Sequence, residues 1–278
     1  MNKFVKIISL FIFISVCGCK TAEKVGADNQ LNVGVIAHRG YWKIDGSAEN
    51  SISSLENAIE GRFYGSEIDV HLTKDNKVVV YHDNKIDKRI PIQESNYADI
   101  ESITLDNGEK LPMLEEHLEI ISKQSRTKLI IEIKPHQTPQ RNREAARIVY
   151  AMVRKYKAES ICEYISFDMD ACRELIELNK KNKVSFLSGD AKNAPNPAVL
   201  AKDGFWGVDY SYIVFNKHPE YVKSAHDAGM KVNVWTVNEI DRMQEMIDLK
   251  VDFITTDEPV QLKELLIINT PLQRNRWN

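Results

Sequence analysis

Short apolar runs recur along this chain and alternate with segments in which the apolar residues have helical spacing. Each run has the length of a buried strand, and the runs lie at 33–37, 66–72, 128–134, 161–167, 183–188, 205–210, 231–237 and 251–256. Helices are predicted between most of them, at 51–61, 112–124, about 140–157, 169–181, 218–228 and 239–249, with one more after Pro259. Eight strands that alternate with helices over roughly 240 residues predict an α/β protein with a (β/α)8 barrel, the TIM barrel.

The competing fold is a doubly wound open sheet, which needs no eighth strand. Such folds often use a glycine-rich phosphate loop, and the sequence has none. The stretch from 74 to 127, between the second and third predicted strands, is longer than one crossover requires. We therefore predict a small insertion after strand two, at about 84–127, within a single domain that spans 33–278.

The first residues differ in character from the rest of the chain. Lysines precede an apolar run that starts at Ile7, and small residues follow it up to Cys19. This is the layout of an export signal, and the run is shorter than the about 20 residues of a membrane-crossing helix. The sequence around Cys19 also resembles a bacterial lipobox. We predict a lipoprotein signal peptide at 1–18, a lipid anchor on Cys19 and a polar tether at 19–32; the alternatives are an uncleaved anchor and an unmodified thiol.

Composition adds two constraints. The 278 residues include 37 Lys and Arg against 40 Asp and Glu. The chain therefore lacks the excess of basic residues that would indicate a nucleic acid partner. The export signal predicts a membrane-anchored lipoprotein in the periplasm or at the cell surface. Beyond Cys19 the cysteines are Cys162 and Cys172, whose positions suit either a disulfide or two buried thiols.

Charged residues interrupt the first three predicted strands close to their carboxyl ends, in the order His38, Arg39, Glu67, Asp69, Glu132 and Lys134. Glu67 and Asp69 alternate with apolar residues, and because side chains of a strand repeat with a period of two, both acids share one face. Catalytic groups of a barrel stand at this end of the strands. A buried carboxylate without a partner is strongly unfavourable, so we expect a cation beside these acids.

The acids themselves indicate which cation. Three carboxylates, from Glu67, Asp69 and Glu132, predict a hard divalent ion with oxygen ligands, Mg²⁺ or Ca²⁺, because zinc would draw more heavily on His and Cys. The alternative is a network of buried salt bridges without a metal. It is disfavoured because so many charges converge on the end where barrels keep their active sites.

The remaining polar groups predict the chemistry. Arg39 and Lys134 suit an anion, since Arg matches phosphate oxygens in a fork and Lys acts as a point charge. His38 ends the first strand, and His82 follows a further apolar run that begins at Val78. Imidazole titrates near neutral pH, so these histidines are candidates for proton transfer. Acids, bases, a cation and an anion site together predict phosphoryl transfer.

Five short motifs occur in order along the chain, namely His38-Arg39-Gly40, Glu49-Asn50, Glu67-Ile68-Asp69, His82-Asp83 and Glu132-Ile133-Lys134. In this order they resemble the pattern of the glycerophosphodiester phosphodiesterase family. Three further stretches are similar to the family: LPMLEEHLE at 111–119, VNVWTVNE at 232–239 and VDFITTDEP at 251–259. The resemblance spans roughly residues 33–265, and five elements in order make chance a poor explanation.

The resemblance implies a TIM barrel with a small insertion, and hydrolysis of a glycerophosphodiester to glycerol 3-phosphate and an alcohol. It implies that the three acids hold the divalent metal and that Arg39 and Lys134 neutralise the phosphate. It further implies that His38 acts as general base on a glycerol hydroxyl, which attacks phosphorus to give a cyclic phosphate. His82 would then protonate the leaving alcohol, although the order of the two histidines stays open.

Other residues have two interpretations each. Trp235 either packs under the substrate glycerol or belongs to the core. Asp209, at the end of the sixth strand, either contacts the substrate or has a structural role through hydrogen bonds. Asn50 either only caps the following helix or both caps it and contributes to the site. His71 shares the acidic face of the second strand, but it is left out of the metal set.

Some features leave the substrate open. After His82-Asp83 the chain reads NKIDKRIPIQ, where the family often has Leu-x-Arg-Thr-Thr, so the head-group contacts of the insertion are not predicted. A phospholipase of the same barrel type, acting on phosphoinositides or lysophospholipids, is the nearest alternative. A non-catalytic binding lipoprotein is another, and it is disfavoured because it would not need both histidines and all three acids.

Overall fold

The computed structural model describes residues 33–269. The predicted signal peptide at 1–18 and the tether at 19–32, with Cys19, lie outside the described residues. Within residues 33–269, none of the helices has both the length and the apolar character needed to cross a membrane.

Eight parallel strands close into a barrel, as predicted from the alternating pattern. They are β1 (Gly34–Ala37), β2 (Gly65–Leu72), β6 (Lys128–Ile133), β7 (Cys162–Ser166), β8 (Val184–Ser188), β9 (Gly207–Ser211), β10 (Lys231–Trp235) and β11 (Phe253–Thr256). Their order around the barrel is β1-β11-β10-β9-β8-β7-β6-β2, and pairing of β1 with β2 closes the ring. The prediction of a TIM barrel is confirmed, and the open doubly wound sheet is wrong.

Alternation along each strand divides the buried residues into two layers. In β6, Leu129, Ile131 and Ile133 face outward and join the main core between the barrel and its helices. Ile130 faces the barrel interior, where it meets Ile36 and residues from neighbouring strands. Because both faces are buried, the strands read as continuous apolar runs, and any charged side chain on the inner face is enclosed by the barrel.

The helices surround the barrel, and their bounds are α1 (Ile52–Glu60), α2 (Leu114–Ile121), α3 (Pro139–Lys155), α4 (Met169–Leu178), α5 (Pro197–Lys202), α6 (Tyr212–Lys217), α7 (Glu220–Asp227), α8 (Ile240–Asp248) and α9 (Pro259–Ile268). The sequence analysis did not predict α5 and α6. Each has six residues, too few for a repeated apolar stripe to show. Ser51 accepts a hydrogen bond from Ser54 N and thereby caps α1.

An additional segment lies between β2 and α2. It contains β3 (Val78–Val80), which pairs antiparallel with β2, and a hairpin of β4 (Lys85–Ile86) and β5 (Ile90–Pro91). A small apolar core of its own supports it, formed by Val79, Ile86, Ile92, Ile100 and Leu111. Helix α2 lies within the predicted range 84–127, but its apolar side chains belong to the main core.

Cys162 in β7 and Cys172 in α4 are both buried free thiols. Of the two states that the sequence left open, the structure has the thiols and not the disulfide. Burial raises the pKa of both thiols above the ordinary value. The two residues therefore contribute to packing, and neither lines the cavity described below.

Candidate active site

The predicted site residues converge at the carboxyl end of the barrel strands. All of them except Asp69 line one cavity of about 270 Å³, together with residues of the later strands: the lining is His38, Arg39, Glu67, His82, Glu132, Lys134, Ile165, Phe167, Leu187, Asp209, Trp235, Thr236 and Thr255. Asp69 lies directly behind this lining, bonded to Lys134. We call the part formed by β1, β2, β6 and the loop after β3 the charged half, and the part formed by Ile165, Phe167, Leu187, Asp209 and Trp235 the apolar half.

The three predicted metal ligands form a compact cluster in the charged half. Asp69 of β2 lies beside Glu132 of β6 in the parallel register, and Glu67 precedes Asp69 by two residues on the same face. All three are buried, and one carboxylate oxygen from each lies within 4.8 Å of the others. Two adjacent strands of a closed barrel thus bring together acids that are 65 positions apart in the chain (67 and 132).

Hydrogen bonds hold these carboxylates in place. Glu67 Oε2 accepts from the backbone N–H of Arg39 at 2.8 Å. The ammonium of Lys134 lies 2.7 Å from Asp69 Oδ1 and 2.8 Å from Glu132 Oε1. Among residues 33–269, Glu67 Oε1 is buried and has no hydrogen-bond partner. The cluster therefore keeps at least one oxygen available for a further positive group.

The charges of the cluster are not balanced. Burial, and then the charges of Asp69 and Glu132, raise the pKa of Glu67 well above its usual value. Burial also raises the pKa of Glu132 to about 8, although Lys134 acts in the opposite direction. Burial disfavours the charged form of Asp69 too, but Lys134 outweighs it and the pKa of Asp69 is lowered. One lysine thus stabilises one carboxylate well and leaves the other two short of positive charge.

A hard divalent cation fits this cluster. The donors are carboxylate oxygens, the set that Mg²⁺ and Ca²⁺ prefer, and Glu67 Oε1 lacks any other partner within the described residues. A divalent charge would offset both the burial and the mutual repulsion that raise the pKa of Glu67 and Glu132. The residues present therefore match the predicted cofactor in number, type and charge.

Arg39 stands at the turn that follows β1. Its backbone has a φ of 54°, and Gly40 after it has a φ of 80°, where an added Cβ would overlap the side chain of Ser54. This sharp turn directs the Arg39 guanidinium to Glu49, whose Oε2 accepts from Nη1 at 2.5 Å. The guanidinium also approaches Asp69, with Nε 3.8 Å from Oδ2. Arg39 therefore borders both the cluster of three carboxylates and the cavity.

The prediction that Asn50 caps α1 is wrong. Ser51 caps α1, whereas the Asn50 amide donates to Asp69 Oδ2 at 2.8 Å and its Oδ1 accepts from the Asp69 N–H at 3.0 Å. Asn50 has a φ of 61°, a backbone conformation that Asn tolerates better than most residues. Asn50 thus holds Asp69, one of the three clustered acids, through two hydrogen bonds. Its place beside Glu49 in the motif was the signal for this role.

His38 has a partner that the sequence analysis missed. Its Nδ1 lies 2.7 Å from Oδ1 of Asp257, which follows β11 and is itself held by the Asn238 amide at 2.8 Å. His38 and burial act oppositely on this carboxyl: burial favours its neutral form, but the hydrogen bond to His38 prevails and the pKa of Asp257 falls to about 2. The carboxylate therefore fixes the His38 ring with Nε2 left for substrate. The stretch VDFITTDEP contained this residue, but its local pattern gave no reason to pair it with His38.

His82 is the second histidine of the cavity. Its Nδ1 lies 2.7 Å from Asp83 Oδ1, and its backbone carbonyl is 3.4 Å from Nε2 of the buried His71. His71 is in turn near Gln93 of the additional segment, at 3.2 Å. His71 therefore supports the loop that carries His82 and does not join the metal cluster. Burial, followed by the charge of Lys134, lowers the pKa of His82.

The apolar half contains the predicted Trp235. Its indole N–H donates to the backbone carbonyl of Asp209 at 2.9 Å, and its ring meets Phe167 edge to face with centroids 5.7 Å apart. Asp209 faces the cavity, in agreement with a position in the site. Tyr210, the next residue, points outward into the main core and donates to the Pro195 carbonyl at 2.8 Å.

A second, larger cavity of about 580 Å³ adjoins the first. Arg39 and His82 line both cavities, whereas His38 lines only the inner one. The wall of the outer cavity includes Trp42 and Tyr81, and several acids stand on its rim. The inner cavity is thus open on the side of His82 toward a space that the additional segment helps to form.

The comparisons with known proteins agree with this geometry. A model of the glycerophosphoryl diester phosphodiesterase family matches residues 38–261. The chain belongs to the glycerophosphoryl diester phosphodiesterase family. This match covers every predicted site residue, so the resemblance seen in the five motifs is confirmed.

Individual glycerophosphodiester phosphodiesterases are similar over most of their length. The crystal structure of one from Parabacteroides distasonis is 50% identical, with a TM-score of 0.82, over 85% of this chain and 97% of that chain. One from Caldanaerobacter subterraneus is 28% identical over 84% of this chain and 97% of its own. An Oleispira antarctica phosphodiesterase, solved in complex with the product sn-glycerol-3-phosphate, shares the fold at 21% identity and a TM-score of 0.74, over 84% of this chain and 96% of that chain. The prediction of an enzyme, a glycerophosphodiester phosphodiesterase, is confirmed.

Proposed function

We propose that this protein hydrolyses glycerophosphodiesters to glycerol 3-phosphate and an alcohol, with Mg²⁺ or Ca²⁺ held by Glu67, Asp69 and Glu132. One observation carries the proposal: two anchored histidines line a single small cavity together with residues of the acid cluster and the basic side chains of Arg39 and Lys134. A cavity of about 270 Å³ accommodates a small ligand such as glycerol phosphate. The cation, when bound, would supply positive charge to the phosphate and to the attacking hydroxyl.

In the first step, His38 Nε2 takes the proton of the glycerol hydroxyl next to the phosphate-bearing carbon. The hydroxyl oxygen bonds to phosphorus, and the bond from phosphorus to the other alcohol breaks. His82 gives a proton to that leaving alcohol, and a cyclic phosphate remains. Arg39 and Lys134 keep the phosphate in place and offset its charge.

In the second step, the histidines exchange roles. His82 takes a proton from water, the water oxygen bonds to phosphorus, and the ring bond to the glycerol oxygen breaks. His38 returns its proton to that oxygen, which restores the enzyme and releases glycerol 3-phosphate. Both rings are anchored through Nδ1, so each presents Nε2 as the one nitrogen that gains and loses the proton.

The two cavities support this order of the histidines. His38 borders only the inner cavity, where glycerol phosphate fits, whereas His82 borders both. An alcohol leaving from phosphorus toward the outer cavity would pass His82, which suits the general acid. Burial and Lys134 lower the pKa of His82 in the free enzyme, and the negative phosphate of a substrate favours its protonated form.

A panel of substrates tests the proposal. We expect purified protein to release glycerol 3-phosphate from glycerophosphocholine or glycerophosphoethanolamine with Mg²⁺ or Ca²⁺. We expect EDTA to stop the release and added metal to restore it. Turnover of lysophospholipids with no turnover of deacylated diesters would replace this function by the phospholipase alternative. Turnover of neither class, with any metal, would favour a binding protein.

We also propose that the protein is exported and anchored in a membrane by a lipid on Cys19, with residues 1–18 removed. The support is the charged leader, the apolar run and the lipobox-like sequence. A lipid at this position would hold the barrel close to a membrane, in the periplasm or at the cell surface. Mass spectrometry of the mature amino terminus tests this: an unmodified Cys19 would end the anchor proposal.

A further inference from the structure

Asp209 is a buried acid of the cavity to which the proposed reaction gives no task. It projects inward from β9, which is four strands from β2 in either direction around the barrel and so stands opposite the metal cluster. The Asp209 residue is 2% exposed, and its neighbours in the apolar half are carbon side chains. An acid in such surroundings is unfavourable unless a polar group pairs with it.

The protein supplies only part of that pairing. Asn233 lies beside Asp209 in the register of β10 and β9, and its amide donates to Asp209 Oδ1 at 2.8 Å and to Thr255 Oγ1 at 2.8 Å. Within residues 33–269, Asp209 Oδ2 has no hydrogen bond, and the buried Asn233 Oδ1 has no partner. Asp209 lines the cavity, so its unpaired oxygen is available there to a hydrogen-bond donor of a ligand.

The donor that fits is a hydroxyl group. Burial raises the pKa of Asp209 to about 7, with the Asn233 hydrogen bond acting against it, so both forms of the carboxyl occur near neutral pH. A hydroxyl donates to the ionised form and accepts from the neutral form. An ammonium group would pair well with only one of them, and a second carboxylate would repel the ionised form.

This inference rests on the proposed function, which leaves one glycerol hydroxyl unassigned. The phosphate lies with Arg39 and Lys134, and the neighbouring hydroxyl attacks phosphorus under His38. The terminal hydroxyl at the far end of glycerol then meets the wall opposite the metal cluster. Below that wall the barrel interior is closed by Ile36 and Ile130 with their neighbours, so a longer substituent cannot extend in that direction.

We propose that Asp209, held by Asn233, binds the terminal hydroxyl of the glycerol moiety and thereby selects deacylated glycerophosphodiesters. A substrate that lacks this hydroxyl leaves the Asp209 carboxyl with Asn233 as its one side-chain partner among residues 33–269. A lysophospholipid whose terminal hydroxyl carries an acyl chain has no donor for Asp209, and its chain cannot extend below Asp209 into the closed barrel interior. The same residue thus decides whether the barrel cleaves the phosphodiester of deacylated substrates or that of lysophospholipids.

Substrate analogues test the proposal in three proteins: the wild type, Asp209→Leu and Asp209→Asn. The substrates are glycerophosphocholine, the corresponding propane-1,2-diol phosphocholine without the terminal hydroxyl, and 1-acyl lysophosphatidylcholine. We expect the wild type to prefer glycerophosphocholine over the propanediol analogue by about 10- to 100-fold in kcat/KM. Asp209→Leu should lose this preference, because its kcat/KM for glycerophosphocholine falls toward that for the analogue. Asp209→Asn keeps an acceptor oxygen and the shape of the side chain, and it should retain part of the preference.

A matched control is Glu163→Gln. Glu163 is a buried acid on the inner face of β7 at the opposite end of the barrel, where Tyr64 and Lys183 bind it. This variant should keep the full preference. Thermal unfolding shows whether each variant is folded, and the Asn variant keeps the test decisive if the Leu variant does not fold.

Several outcomes would overturn the role of Asp209. These are equal turnover of the two diesters by the wild type, an unchanged preference in Asp209→Leu, or efficient cleavage of the lysolipid. If the wild type turns over none of the substrates, the proposed function fails separately. Calorimetry with glycerol 3-phosphate and propane-1,2-diol 1-phosphate in the presence of Mg²⁺ then decides the inference, since equal affinities would refute it.

Discussion

In the charged half of the cavity, ionisable side chains contact one another, whereas in the apolar half a single carboxyl, Asp209, stands among carbon walls. Each carboxylate of the charged half has at least one charged or N–H partner, and their pKa values shift in both directions. Asp209 has one neutral partner and its pKa moves in one direction only. Charged side chains are thus gathered on one side of the cavity, and the other side presents carbon side chains around one carboxyl.

The difference predicts that activity depends most on the charged half. His38→Ala and His82→Ala should each slow turnover of glycerophosphocholine by at least about 100-fold, because general acid–base catalysis contributes on the order of 10²- to 10⁴-fold. His226→Ala is the control, since His226 pairs with Asp252 at the opposite end of the barrel. Steady-state kinetics at saturating metal measures the effect. A rate like that of the wild type in either His38→Ala or His82→Ala would contradict the mechanism.

In the apolar half, the carboxyl of Asp209 should affect the pH dependence of stability. The ordinary pKa of Asp is about 3.9, and that of Asp209 in the folded protein is about 7. Between these values the folded state binds more protons than the unfolded state, so the free energy of unfolding falls as pH rises from about 4 to 7. Asp209→Asn removes this contribution. It should match the wild type near pH 4 and exceed it near pH 8 by on the order of 2–4 kcal/mol.

Urea unfolding of both proteins at several pH values measures this difference. Other buried acids titrate in both proteins, so the difference between them isolates Asp209. Asp227→Asn, on an exposed face of α7, is the control and should follow the wild type at every pH. A constant difference between the wild type and Asp209→Asn across this range would show that Asp209 does not titrate as described.

Asp257 lies late in the sequence but joins the charged half through its hydrogen bond with His38. Asp257→Asn should slow turnover by roughly 10- to 100-fold with KM nearly unchanged, because the His38 ring loses the acceptor that sets its tautomer and orientation. Asp257→Glu keeps the charge and should recover part of the rate. Glu258→Gln, which removes the adjacent carboxylate that pairs with Lys43, should have little effect. A similar rise in KM and fall in kcat for all three variants would indicate that Asp257 has a merely structural role.

The smallest effect is expected for Trp235. Trp235→Phe keeps an aromatic wall and loses the hydrogen bond to the Asp209 carbonyl, so KM should rise less than about tenfold with kcat nearly unchanged. Trp235→Ala removes the wall and should raise KM further. Trp206→Phe is the control, because Trp206 packs on Phe253 and Lys183 at the other end of the barrel. If Trp235→Phe instead slowed turnover as much as the loss of a catalytic histidine, this residue would belong with the charged half.

Sequence patterns were sufficient where the signal lay within one strand or at its end. The period of two assigned Glu67 and Asp69 to one face, and the count of strands predicted the barrel that joins them to Glu132. Short helices were missed because six residues do not show a period. The motif around Asn50 marked the residue, but helix capping explained it equally well until the contact with Asp69 was seen.

What only the tertiary structure decided are the partners that closure of the barrel brings together. His38 and Asp257 are separated by 219 positions, and no local pattern near either residue indicates the other. Asp209 looked like any polar strand end until β10 placed Asn233 beside it and the opposite wall enclosed it. The sequence by itself determined which strands form and which face each side chain takes, because these depend on neighbours along the chain. Which faces meet across the cavity depends on ring closure and register, and these are set by the packing of the whole barrel.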